Sequence, residues 1–280
     1  MTAAAYQPVY APPAGACDSH CHIWGPTDRF PFAAGRPYTP PDRDKHVLTA
    51  LHRRLGLQRT VIVQPIVYGS DNAAMLDAIA DDPRNRRGIA LLGPDDTDAQ
   101  LLRLHEAGIR GVRFGFVKHL KRRPDLAFLR RTAERIAPLG WHVQLHLDAD
   151  QLDELGDAIR SLRLPVVIDH MGRVDAALGL EQPAFQLLLD LVRRDERWIK
   201  LSGANRVSAI GAPFEDVVPF ARALIDAAPD RVLWGTDFPH PLSRHPVEDE
   251  ALLLDLLPQF GDAAALQRLM VDNPTRLYGF

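Results

Sequence analysis

Eight short runs rich in β-branched or apolar residues recur along this chain, at 16–22, 60–64, 88–92, 111–114, 142–147, 166–170, 198–202 and 232–237, and segments of helical spacing separate nearly all of them. Such alternation restricts a chain to right-handed strand–helix–strand units on a parallel sheet, and eight of those units close naturally into a barrel. The expected fold is therefore α/β, a (β/α)8 barrel of TIM type. At 280 residues the chain suits one such domain, which runs to about 250 residues before loops are added, so 1–280 is expected as a single domain.

The intervening segments carry start and stop signals. Asp71 can cap a helix running toward Asp82 that Pro83 ends, and 124–138 holds Leu126, Leu129, Ala133 and Ile136 at helical spacing before Gly140. Residues 182–194 repeat Phe185, Leu188, Leu189 and Val192 on one face, the pattern of a helix packed on a sheet. The longest irregular stretch, 25–41, is rich in proline and aromatic residues and fits a first loop folded over the barrel mouth. These helix faces are all used in barrel packing, so none marks a subunit interface and the oligomeric state is left open.

Composition narrows the function classes. With 46% hydrophobic and 25% charged residues the chain is an ordinary globular one, and no run approaches the roughly 18 apolar residues of a membrane span. The first residues lack the basic start and apolar stretch of a signal peptide, so a cytoplasmic location is expected. A net charge of -3 argues against nucleic acid as a partner and makes any anion recognition local. Cys17 and Cys21 lie on one expected strand, a placement that disfavours a disulfide.

In barrels of this kind the active site forms at the C-terminal strand ends, and here nearly every strand ends in a polar residue. The first supplies His20 and His22, whose spacing puts both imidazoles on one face. Then come Gln64, Arg113, His146, Asp169 with His170, Lys200 with Ser202, Arg206 just beyond, and Asp237. Only the third strand, ending in Leu91 and Leu92, contributes nothing obvious.

Roles follow from residue type. Asp237 is an acceptor-only carboxylate suited to deprotonating a water or binding a metal. His20, His22, His146, His170 and Asp237 resemble a mononuclear divalent site such as one for Zn²⁺, and the same set without metal serves as an electrophilic cage around a carbonyl. His146 also reads as a packed core histidine. Asp169 precedes His170 on the same strand, so it is expected to face outward or brace a neighbouring loop. Arg113 and Arg206 are forks suited to carboxylates or similar oxyanions, and Tyr38 in the first loop could donate to the same anion.

At this level of detail the motifs resemble a known family. Asp18-Ser19-His20-Cys21-His22, Arg36-Pro37-Tyr38, Gly111-Val112-Arg113-Phe114, Asp169-His170-Met171-Gly172-Arg173, Lys200-Leu201-Ser202-Gly203 and Trp234-Gly235-Thr236-Asp237-Phe238-Pro239-His240 are similar to those of the 2-pyrone-4,6-dicarboxylate lactonases of the amidohydrolase superfamily. The resemblance implies hydrolysis of a lactone, with Asp237 as general base, with His20, His22 and His170 around the carbonyl, and with Tyr38, Arg113 and Arg206 on substrate oxygens. It also implies that metal is dispensable.

Two departures bear on substrate and cofactor. Where the family pattern has a second arginine after the fourth strand, this chain has Val117-Lys118-His119, and His146 stands where that pattern has a tyrosine, restoring a ligand of metal-dependent relatives. His119, His146, His240 and Gln64 complete the candidate substrate contacts, and His20, His22, His146 and Asp237 are the candidate metal ligands. The leading expectation is a hydrolase of a small anionic lactone other than the pyrone dicarboxylate, with one divalent metal or none. A metal-dependent decarboxylase and a non-catalytic binder of anionic metabolites are the alternatives.

Overall fold

The computed structural model describes residues 6–118, 125–193 and 197–280. Eight parallel strands run in chain order: β1 (Cys17–Cys21), β2 (Arg59–Val63), β3 (Arg86–Ala90), β4 (Ile109–Gly115), β5 (His142–His146), β6 (Val166–Ile168), β7 (Arg197–Lys200) and β8 (Val232–Leu233). The ring closes through hydrogen bonds from Ser19 N to Trp234 O (2.8 Å), Asp237 N to His20 O (2.7 Å) and His22 N to Phe238 O (2.7 Å). This is the expected (β/α)8 barrel. β8 is shorter than the 232–237 run because pairing with β7 ends at Leu233, and the residues beyond it bond to β1 instead.

Helices α1 (Lys45–Leu55), α2 (Ala73–Ala80), α3 (Asp98–Glu106), α4 (Leu126–Ile136), α5 (Leu152–Ser161) and α6 (Pro183–Arg193) follow the first six strands. A short α7 (Ala204–Val207) and then α8 (Val218–Ala227) follow β7, and α9 (Ala251–Asp255), α10 (Ala263–Gln267) and α11 (Asn273–Tyr278) follow β8. Local chemistry sets the ends. Asp44 and Asp125 accept the first backbone N–H groups of α1 and α4, Thr97 and Gln100 form a capping box on α3, and Asp71 Oδ1 accepts from Ala73 N at the start of α2.

At the opposite ends, arginines at or just before nearby strands satisfy carbonyls at the ends of helices. Arg86 donates to Ala78 O, Arg110 to His105 O, Arg231 to Val192 O, and Arg197 to the carbonyls of Ile159, Arg160 and Leu162. The arginines at the N-terminal face of the barrel are thus occupied by the fold. No helix among the described residues is long and apolar enough to cross a membrane.

Cys17, Val61, Val63, Ile89, Val167, Trp198, Leu233 and Tyr278 pack as the inner core, apart from the larger layer between strands and helices. Cys17 belongs to the inner cluster and Cys21 to the outer one, although residues four apart on a regular strand share a face. The cause is a bulge. β1 pairs Asp18 with Thr60 but Cys21 with Ile62, which inserts one residue and turns Asp18 outward to His52 of α1 while His20 and His22 turn inward. Both cysteines are buried thiols.

Candidate active site

Asp237 anchors the site. It sits at a left-handed backbone position (φ 61°) just past β8, fully buried, and Arg206 Nε donates to its Oδ2 at 2.6 Å. The other oxygen, Oδ1, faces His22 Nε2 at 3.7 Å, His170 Nε2 at 3.7 Å and His20 Nε2 at 3.8 Å. Those gaps are too long for direct hydrogen bonds and wide enough for a shared small ligand. Asp237 Oδ1 and His20 Nε2 have no hydrogen-bond partner among the described residues.

Each imidazole is backed by a different atom, and the backing atom sets its tautomer. His22 Nδ1 lies 2.7 Å from Val63 O. A carbonyl only accepts, so Nδ1 carries a proton pointed at Val63, and in the neutral tautomer this leaves Nε2 as the lone-pair nitrogen that faces Asp237. His170 Nδ1 meets the Ser202 hydroxyl at 2.9 Å. His20 Nδ1 lies between Asp169 Oδ1 at 3.2 Å and Lys200 Nζ at 3.4 Å.

The outward orientation expected for Asp169 is incorrect. Asp169 is fully buried and faces inward, its Oδ2 accepting from Arg113 Nε at 2.9 Å and Gln144 Nε2 at 3.2 Å. His170 also reaches the site, because the chain leaves β6 in a left-handed turn: His170, Met171, Gly172 and Arg173 have φ of 53°, 51°, 62° and 52°. Strand alternation therefore stops at Asp169, and two successive side chains serve one centre. Left-handed backbone costs about 1–2 kcal/mol per non-glycine residue, a strain held here by surrounding packing such as the fully buried Met171. Gly203 leaves room for the turn, since a Cβ there would lie 3.0 Å from His170 Cβ.

Electrostatics follow from burial and pairing. Burial opposes ionisation of both carboxylates, yet the Arg206 guanidinium holds Asp237 well below the usual carboxylate range, and Arg113 and Lys200 do the same for Asp169. Burial takes His20 down to about 3 and His146 and His170 well below the ordinary imidazole value, so these rings are neutral at pH 7. Lys200, fully buried, drops to about 8 and still carries its proton at pH 7. Burial raises Tyr38 to about 12. Three cations, Arg113, Arg206 and Lys200, face two anions, Asp169 and Asp237, which leaves one net positive charge to meet an anionic ligand.

A pocket open at its mouth lies over this centre. His22, Tyr38, Arg113, His146, His170, Arg206 and Asp237 supply its polar wall. Pro65, Ile66, Leu91, Pro241 and Leu242 supply an apolar one, so the third strand's Leu91 has a place after all. Both arginines reach carboxylates through Nε, which directs their forked ends elsewhere. His20 lies beneath the pocket rather than on its wall.

Two candidate contacts are placed elsewhere. Gln64 donates to Asp71 O at 2.6 Å and holds the loop after β2, and His240 Nε2 lies 3.3 Å from Glu250 Oε1 in the loop after β8. Neither lines the pocket, because each strand-end position carries its side chain into a loop brace. His119 lies outside the described residues. His146 lines the pocket with its ring edge-on to His170, centroids 5.4 Å apart. Among the described residues three groups have donor atoms within 4.8 Å of one another, His20 with His22 and Asp237, His20 with Asp169 and His170, and Asp18 with Cys21 and His52, and His146 is in none of them. Gln144, Lys200 and Ser202 form the support beneath the imidazoles; Lys200 and Ser202 stand among the strand-end polar residues of the sequence, whereas Gln144 could have been found as the polar residue that alternates with His142 and His146 on β5.

The chain belongs to the amidohydrolase family, whose model matches residues 17–280. It is 45% identical over 282 residues to a 2-pyrone-4,6-dicarboxylate hydrolase of Comamonas testosteroni, covering 97% of this chain and 92% of that protein. A 4-sulfomuconolactone hydrolase of Rhizobium radiobacter is 43% identical over 274 residues, with 96% and 92% covered. Among solved structures, a probable 2-pyrone-4,6-dicarboxylic acid hydrolase of Acinetobacter baumannii with citric acid bound superimposes with a TM-score of 0.82 at 27% identity, covering 95% of this chain and all of that one. These relatives are named as hydrolases of lactones.

Proposed function

We propose that this protein hydrolyses a lactone that carries one or two carboxylates or a similar oxyanion. The observation that carries the reading is the buried, ionised Asp237, with Oδ1 held 3.7–3.8 Å from three imidazole nitrogens beneath a pocket walled by two arginines. The family relatives support the class of substrate, and the citrate in the Acinetobacter protein supports an anionic one.

The geometry supports the following steps. A water between Asp237 Oδ1 and His22 Nε2 would donate one proton to each, leaving a lone pair aimed at the lactone carbonyl. Attack forms the new C–O bond as Asp237 takes the proton. Donors from His20 and His170 stabilise the oxygen on which charge develops. Collapse breaks the ring C–O bond, and the proton on Asp237 passes to the departing ring oxygen. Arg113, Arg206 and Tyr38 orient the substrate's anionic groups. Arg206 holds Asp237 too acidic to be a strong base, but a substrate anion at Arg206 cancels that charge and raises the carboxylate's proton affinity as the substrate arrives.

The donor set His20 Nε2, His22 Nε2 and Asp237 Oδ1, two of which have no partner among the described residues, would hold a divalent ion once the His20 ring proton sits on Nδ1, and there the ion would act as a Lewis acid on the carbonyl. Ring opening across a panel of carboxylated lactones, followed as proton release, tests the function. The expected result is turnover by the wild type and its loss in Asp237→Asn. An Asp237→Asn enzyme as active as the wild type would end the proposal.

A further inference from the structure

We infer that Lys200 is a positioning residue whose ammonium donates to His20 Nδ1 and so places the ring proton of His20 on Nε2, where it serves as a donor to a carbonyl oxygen and is not a lone pair for a metal ion. This rests on the proposed hydrolysis for its consequence, though its test does not.

Lys200 lies on β7, fully buried and off the pocket wall. An ammonium has only protons to offer, and its neighbours are Gln144 Oε1 at 2.8 Å, His20 Nδ1 at 3.4 Å and Asp169 Oδ1 at 3.8 Å. The Gln144 amide is oriented by its own donation to Asp169 Oδ2, so its oxygen is turned to Lys200. His20 Nδ1 can hold a proton for Asp169 or a lone pair for Lys200, not both. Asp169 Oδ1 is nearer, at 3.2 Å, but keeps no hydrogen bond among the described residues, whereas the Lys200 contact meets hydrogen-bond geometry. Lys200 is therefore the aligned partner.

The contrast with His22 sharpens the point. His22 and His20 stand two residues apart with rings 5.0 Å apart, yet a carbonyl backs one and an ammonium the other. Opposite backing atoms impose opposite tautomers, which divides the pair into a water acceptor and a carbonyl donor. Without the ammonium, Asp169 Oδ1 becomes the remaining partner, the proton moves to Nδ1, and three acceptors converge on one volume. That is a cation site.

The test is a long-range ¹H–¹⁵N spectrum of chelator-treated protein labelled at histidine, with His20→Gln assigning the resonance. The wild type should show His20 protonated at Nε2 and His22 at Nδ1, and Lys200→Met should show His20 protonated at Nδ1. A wild-type His20 carrying its proton on Nδ1 overturns the inference, and that spectrum decides the matter even if Lys200→Met does not fold. Chelator competition gives a second readout: Lys200→Met should bind Zn²⁺ about tenfold more tightly, and equal or weaker binding overturns the inference. Neither readout depends on lactone turnover, so a protein that opens no lactone leaves both intact.

Discussion

Asp237 and Asp169 are the same side chain put to different work by their neighbours. Asp237 offers one oxygen to Arg206 and leaves the other facing the pocket floor, whereas Asp169 is enclosed by Arg113, Gln144, His20 and Lys200. Replacing Asp237 by Asn keeps the shape and removes the proton acceptor, so kcat should fall about 10²–10⁴-fold with little change in thermal midpoint, measured by steady-state kinetics beside a melting curve. Arg113→Lys removes the fork; KM for a carboxylated lactone should rise about tenfold, with a smaller effect on a neutral lactone of the same ring. An equal effect on both would mean that Arg113 supports Asp169 and does not bind substrate. At this scale the sequence shows residue types well and orientation poorly. His20, His22, His170, Arg113, Arg206 and Asp237 converge as their strand-end positions imply, but the tautomers depend on Val63 O, Ser202 and Lys200, contacts that spacing cannot reveal.

The elements that aim these groups are irregular ones. Asp18 Oδ1 accepts from the backbone N–H of both His20 and Thr236, and its Oδ2 from Thr236 Oγ1 at 2.6 Å and His52 at 3.0 Å, which fastens the bulged β1 to the end of β8. Gly235 makes the approach possible, since a Cβ there would lie 2.4 Å from His20 N. Thr236→Val removes a donor to a buried carboxylate and the acceptor of Phe238 N, and should cost about 2 kcal/mol in urea unfolding along with a loss of kcat. An unchanged unfolding midpoint would show that this clamp contributes nothing. Period-two alternation made the eight strands legible, and it misdirected Asp169 for the same reason. Neither the bulge in β1 nor a left-handed run through His170, Met171 and Arg173 has a signature in local propensity, and Gly172 alone hinted at it.

Across the whole molecule, charge is sorted by face. Arginines at the bottom are spent on helix carbonyls, while the centre under the mouth keeps one net positive charge in a chain of net charge -3. Capture of an anionic lactone should accordingly weaken with salt, read as a fall in kcat/KM between low and physiological ionic strength. The barrel interior also sets acid stability. Burial lowers His142 to about 3, so below its ordinary value near 6.5 the unfolded chain binds a proton that the folded one refuses. That contribution is whole above pH 6.5 and is lost as the pH falls toward 3. His142→Phe should reduce the drop in unfolding free energy between pH 6.5 and 4.5 by about 2 kcal/mol, and an unaltered slope would refute it. The eight-unit barrel itself was legible because alternation over the full length admits few other closures. The most direct test of the account is the mass of the product formed from a carboxylated lactone in H₂¹⁸O. Hydrolysis requires a gain of one labelled water with ¹⁸O in the new carboxylate; a product of unchanged mass, or one that has lost carbon dioxide, would contradict it.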